Sequence, residues 1–216
     1  SNYSGQLGVG DTNDRLSPVK VMDNVSTISG NWRSTFAVKK DGSLWAWGSN
    51  YSGQLGVGDT NDRLSPAKVM DNVDNVYTAS GNRGSSFAVR KDGSLWAWGY
   101  NGSGCLGVGD TNDRLSPVKV MDNVDNVYTA SGTFAVKKDG SLWAWGYNGS
   151  GYLGVGDTND RHSPAKVMDN VSTISGDWRS TFAVRKDGSL WAWGYNGSGC
   201  LGVGDTNDRH SPAKVM

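Results

Sequence analysis

The chain has 216 residues, of which 36% are hydrophobic, and its 21 basic and 21 acidic residues cancel to a formal net charge of zero. The basic residues are dispersed, so the Lys/Arg clusters that release counterions from phosphate are missing, and neither nucleic acid nor an anionic membrane surface is expected as a partner. No apolar stretch reaches the length of a bilayer span.

One repeat organises everything else. The nonapeptide Leu-Gly-Val-Gly-Asp-Thr-Asn-Asp-Arg begins at Leu7, Leu55, Leu106, Leu153 and Leu201, at intervals of 48, 51, 47 and 48 residues. A period of this size marks supersecondary units that bury their apolar faces only by stacking on neighbours. The expected division is a partial repeat at 1–22 and full repeats at 23–70, 71–121, 122–168 and 169–216.

Within residues 23–70, Val25–Ser29 reads as a short strand ending at Gly30. The polar loop Asn31-Trp32-Arg33-Ser34 leads to a second strand, Thr35–Lys39, with Phe36 and Val38 on one face. Asp41-Gly42 is a hairpin signal, with positive φ expected at both positions. The third strand runs Ser43–Gly48, with Leu44 and Ala46 on one face and Trp45 and Trp47 on the other. Both faces are apolar, as in a sheet held between two others. A glycine-rich loop follows, and Pro66–Met70 is a fourth strand whose proline suits an edge. The fold class is therefore all-β: four four-stranded antiparallel propeller blades plus a surplus N-terminal half unit.

These residues resemble the RCC1 repeat (regulator of chromosome condensation family). The resemblance rests on Ile28–Gly30, Phe36–Val38, Asp41-Gly42, Trp47-Gly48, Gly53-Gln54-Leu55-Gly56 and Pro66–Val69, and it recurs in every unit. It implies a ring of about seven blades that binds proteins on one face. Guanine-nucleotide exchange, known for the family's namesake, finds no residue here to carry it. The chain also departs from the family pattern. Arg33-Ser34 stands where a histidine is usual, and Gln54 becomes Cys105, Tyr152 and Cys200 in later copies. Five nonapeptides stand against four Trp-Ala-Trp-Gly strands, at Trp45, Trp96, Trp143 and Trp191. The expectation is a homo-oligomer or a part of a longer repeat array rather than a closed monomeric ring.

No catalytic, cofactor or metal site emerges. The Asp59–Arg63 loop has neither the helix a phosphate site needs nor the Gly and Glu of a calcium loop. It reads as an Asx-type turn in which Asp59 or Asp62 caps backbone amides and Arg63 pairs locally. Cys105 and Cys200 occupy equivalent positions of non-adjacent units, too far apart for a disulfide. Seven Asn-x-Ser sequons (Asn2, Asn24, Asn50, Asn101, Asn148, Asn170, Asn196) are products of the repetition and carry no weight for secretion.

The informative positions are those that vary while the rest is copied. They are Trp32, Arg83 and Trp178 in one loop, Tyr100, Tyr147 and Tyr195 after the third strand, Tyr152 in the turn, and His162 and His210 where other copies carry leucine. Loops concentrate binding residues, and Tyr, Trp and Arg dominate interface energies. The leading function is a non-catalytic protein-binding module recognising a partner through these residues. The alternative is a self-assembling structural repeat protein, as an oligomeric ring or filament, or a piece of a larger propeller.

Overall fold

A computed structural model describes residues 1–79, 84–130, 132–177 and 179–215. It contains four sheets, each of four consecutive antiparallel strands. The first is β1 (Val25–Gly30), β2 (Ser34–Lys39), β3 (Leu44–Gly48) and β4 (Arg63–Met70). The second is β5 (Val73–Thr78), β6 (Ser85–Arg90), β7 (Leu95–Gly99) and β8 (Arg114–Met121). The third is β9 (Val124–Thr129), β10 (Gly132–Lys137), β11 (Leu142–Gly146) and β12 (Arg161–Met168). The fourth is β13 (Val171–Gly176), β14 (Ser180–Arg185), β15 (Leu190–Gly194) and β16 (Arg209–Lys214). These are propeller blades, and the all-β class read from the repeat is what the chain adopts.

The β2–β3 hairpin corrects one local expectation. Only Gly42 takes a positive φ, at 86°. Its N–H donates to the Lys39 carbonyl at 2.8 Å, closing a type I turn that ends in a left-handed glycine. Asp41 works through its side chain, whose Oδ1 accepts the Ser43 N–H at 2.8 Å and hydroxyl at 2.7 Å. The Ser43 oxygen accepts from Trp45 Nε1 at 3.0 Å, and Lys39 Nζ lies 5.2 Å from the Trp45 ring centre. The same Asp-Ser-Trp chain recurs at Trp96, Trp143 and Trp191, so this tryptophan is committed to its own turn.

The fourth strand begins three residues earlier than its proline indicates, and Pro66 sits on the sheet edge as expected. A register shift between Ala46 and Gly48 lets Gly48 face Arg63.

The chain divides into two compact units, residues 1–101 with 112–122, and residues 102–111 with 123–216. In the first, Phe36, Val38, Leu44 and Ala46 of one sheet pack with Val73, Val76, Ala88 and Trp98 of the next. The turn after β3 reaches forward, so Trp98 Nε1 donates to the Gln54 carbonyl at 2.9 Å. In the second unit Phe134, Val136, Leu142 and Ala144 meet Val171, Ile174, Ala183 and Trp193 in the same way. Trp145 donates there to the Cys105 carbonyl at 3.0 Å, and Trp193 to that of Tyr152 at 2.7 Å. Residues 1–15 provide the equivalent turn for the first sheet, with Trp47 donating to the Gln6 carbonyl at 2.9 Å.

Candidate functional site

Each nonapeptide turn is held from inside by an asparagine. Asn50 is fully buried; its N–H donates to Asp62 Oδ1 (2.8 Å), its Nδ2 to the Asp59 carbonyl (2.8 Å), and its Oδ1 accepts the Leu55 N–H (2.9 Å). Asp59 Oδ1 accepts the Asn61 N–H at 2.9 Å and Oδ2 pairs with Arg63 at 2.7 Å. The Arg63 guanidinium and the Asn61 amide hold the Asp59 carboxyl below its usual 3.8. This is the Asx-type turn expected, with its carboxylate oxygens engaged locally. The sequon asparagines at 2, 50, 101, 148 and 196 are all fully buried, which makes them structural pegs rather than glycosylation acceptors.

Around this frame, the loop between the first two strands of a sheet lies beside the start of the turn. The Ser49 N–H donates to the Arg33 carbonyl at 2.8 Å, and the Tyr195 N–H to that of Arg179 at 2.8 Å. Asn31 fixes the loop, its Oδ1 accepting the N–H groups of Arg33 and Ser34, both at 3.0 Å. Asp177 does the same for the amides of Arg179 and Ser180, both at 2.8 Å, and these bonds lower its carboxyl pKa. The side chains at the loop tip are therefore displayed by a fixed backbone. Trp32 is 83% exposed, and the Arg33 guanidinium carbon lies 5.7 Å from the Tyr3 ring centre. In the second unit Arg179 lies 5.3 Å from that of Tyr195.

The variable residues separate into two groups. Trp32 and Tyr147 are exposed, and Tyr100 and Tyr195 are half-buried beside the turn. Arg83 and Trp178 lie outside the described residues. Tyr152, expected as a contact residue, is only 9% exposed; its ring packs 6.0 Å from that of Tyr147, which it supports. Its position tolerates Gln, Cys and Tyr because the backbone carbonyl makes the bond to the next tryptophan, leaving the side chain without that duty. His162 and His210 are both exposed. Each lies against a turn glycine, with an added Cβ at Gly104 or Gly151 falling 2.5 Å from the histidine ring, just as Leu115 covers Gly53. They are lids on turns, as leucine is in the other copies.

Tyr3 and Tyr51, constant rather than variable in kind, belong with the exposed set, at 55% and 51% exposed. In three turns the tyrosine stands before the buried asparagine, with glycine two places on (Tyr147-Asn148-Gly149). In the other two it stands after the asparagine, as in Ser49-Asn50-Tyr51. An added Cβ at Gly149 would fall on the Tyr147 hydroxyl, so the ring lies over the third position of the turn from either origin. The swap of Tyr and Gly across asparagine is the signal that could have found them. Every turn thus offers one tyrosine.

A search of curated proteins finds the ultraviolet-B receptor UVR8 of Arabidopsis thaliana, 36% identical over 121 residues, or 54% of this chain and 28% of that protein. Among solved structures, human WBSCR16 superposes over the whole chain and 61% of its own length, with a TM-score of 0.75 at 24% identity. Yeast RCC1 (Prp20) bound to Kap60 matches 92% of the chain and 50% of its own, at 0.75 and 20%. A second structure of Prp20p from Saccharomyces cerevisiae, reported with its binding to Gsp1p and histones, matches 52% of its length with the same score and identity. The chain spans about a quarter of its curated relative and between half and three fifths of these structures. The regulator of chromosome condensation (RCC1) repeat model matches residues 41–89, 92–134, 139–184 and 187–216, and a second RCC1 model matches 25–54. Those matches take in most of the sequence, and the chain belongs to the RCC1 repeat family.

Proposed function

We propose that the chain is a non-catalytic protein-binding module that recognises its partner through the loop-borne aromatic and arginine side chains. The observation that carries this reading is the division of labour within each repeat. Glycines, buried asparagines and both tryptophans of Trp-Ala-Trp-Gly are consumed by the frame, whereas Trp32, Arg33, Tyr51 and Tyr147 are displayed by it. Rigid aromatic side chains contribute large contact area at low entropic cost. Yeast Prp20, of the same fold, is bound to Kap60 in one structure and was studied for binding to Gsp1p and histones in another, which supports protein as the class of ligand.

Binding is tested by selecting ligands for the chain from a displayed protein library and measuring affinity for alanine variants. Trp32→Ala and Tyr147→Ala each weaken a selected ligand by roughly 10-fold or more, as expected for interface anchors, while Lys68→Ala on an outer strand leaves it unchanged. Ligands indifferent to every loop substitution would remove the basis for the reading.

A further inference from the structure

The first strands of the sheets are of two kinds. β1 and β13 end in Ile-Ser-Gly, whereas β5 and β9 end in Val-Tyr-Thr. Their registers against the second strands make Ser29 the counterpart of Tyr128, and Thr78 the counterpart of Gly176. At the junction inside the first unit, Ser29 of the leading sheet and Thr78 of the following one bring their hydroxyls within 3.1 Å of each other. Inside the second unit the same two places hold Tyr128 and Gly176. Glycine has no hydroxyl to offer, and a pocket of about 290 Å³ stands where the bridge was.

Its walls include Tyr128, Ala130 and Phe134 of the third sheet and Ile174, Gly176 and Thr181 of the fourth, all within the second compact unit. Phe134, Ile174 and Thr181 are 2%, 4% and 2% exposed, so these walls belong to the core. The Tyr128 ring is half-buried and fixed at its hydroxyl, to which Asn126 Nδ2 donates at 3.1 Å. The Thr181 hydroxyl is committed to the frame, donating to the Tyr152 carbonyl at 3.1 Å. Among the described residues no charged side chain lines the pocket, so an ionised ligand would lose its hydration without gaining a partner. An apolar cavity of about 150 Å³ accommodates benzene, and the larger space here has room for one substituted ring. Two aromatic walls favour a ring over an aliphatic chain, because ring pairs gain beyond the area they bury.

The pocket lies at the loop ends of the two sheets. Ala130 follows the last residue of β9, and Gly176 is the last residue of β13, immediately before the 177–179 loop. The third sheet also has the tightest connection between first and second strands, β9 ending at Thr129 and β10 starting at Gly132, against Gly30 and Ser34 in the first sheet. We propose that this pocket receives a single uncharged aromatic side chain, Tyr or Phe, of the protein that the loop tips recognise. The proposal rests on the protein-binding reading and gives that surface a recessed anchor point, the place where interface energy concentrates.

The test uses N-acetyl-tyrosinamide, a tyrosine side chain on a blocked backbone, beside p-cresol, the free ring, and needs no partner protein. Ligands of this size are expected to bind with Kd on the order of 1 mM. Binding gives saturable NMR shifts and Overhauser effects from the ring protons to the Ile174 methyl groups, read on the unmodified chain. Tyr128→Ser installs the residue that the first and fourth sheets carry at this place. It removes one ring wall and weakens binding roughly 10-fold, while Tyr77→Ser, the same change in the second sheet, leaves it unchanged. The proposal is overturned if neither probe gives a saturable shift well above that concentration, if their contacts lie away from Ile174 and Phe134, or if Tyr128→Ser binds as tightly as the unmodified chain. Binding of p-cresol without N-acetyl-tyrosinamide would make this a site for free phenols and overturn its assignment to a side chain. Each of these failures leaves Trp32 and Tyr147 as contact residues, and so is distinct from failure of the protein-binding reading.

Discussion

Replacing Asn50 by alanine removes the side-chain bonds that hold the nonapeptide turn together. The Leu55 N–H, at a fully buried residue, loses its acceptor, and the Asp59 carbonyl loses its donor. Leaving a buried polar group unpaired costs about 1–3 kcal/mol. Asp59 is half-exposed, so water can replace the lost donor there, and the Leu55 amide dominates. The expected loss is about 2–3 kcal/mol, or roughly 5–10 °C in Tm for a chain of this size. Thr60→Ala, at an exposed position of the same turn, is expected within about 0.5 kcal/mol of the unmodified chain. Asn50→Asp adds a diagnostic. The new carboxylate keeps an acceptor for Leu55 but faces the Asp59 carbonyl and the carboxylates of Asp59 and Asp62. Its folded-state pKa is raised, so the deficit is large at neutral pH and shrinks as acid protonates it into a donor. Thermal melts followed by near-ultraviolet circular dichroism measure all three. Equal melting of Asn50→Ala and Thr60→Ala would refute the assignment of Asn50 as the internal peg.

Gly56 has φ 74°, and an added Cβ would fall 2.7 Å from Trp98 Nε1, whereas at Gly58 (φ 90°) the nearest atom is Ser116 Oγ at 3.7 Å. Gly56→Ala should therefore cost about 2–4 kcal/mol and Gly58→Ala only about 1–2 in denaturant melts; the reverse order contradicts the packing. At position 54 the carbonyl binds Trp98 while the buried side-chain Oε1 accepts the Ser52 N–H at 2.9 Å, so Gln54→Cys should cost about 1–2 kcal/mol and Trp98→Phe about 2–4. The carboxyl groups of Asp59, Asp157 and Asp205, held by arginines, and of Asp41, Asp92 and Asp139, held by serines, are lowered below 3.8. Lowered folded-state values add stability above the unfolded pKa that is lost as pH falls through the folded one. Tm measured against pH should show this contribution intact at neutral pH and disappearing below about pH 4; a loss beginning near pH 6 would point to other groups.

The blade was legible because Leu44-Trp45-Ala46-Trp47 alternates two apolar faces and Pro66 marks an edge, signals that need no tertiary information. The hairpin was legible in place but not in kind, since Asp41 acts through its carboxylate on Ser43 and leaves its backbone at negative φ. Asn50 was hidden because a buried asparagine and an exposed sequon are written alike. The set of displayed side chains was only partly legible. Variation at Tyr152 and His162 follows from what the backbone needs there, a carbonyl and a cover for glycine, and only packing reveals that. Tyr51 was hidden by a two-residue displacement that the fold absorbs.

With the frame internal, recognition belongs to the loop tips in the function proposed for this chain. A photo-crosslinking amino acid placed in turn at Trp32, Tyr51, Tyr147 and Tyr195, and at Lys68, Lys119 and Lys166 on the outer strands, tests it against a library-selected ligand. Adducts are expected at the loop positions and none on the outer strands. Adducts confined to the outer strands would contradict it.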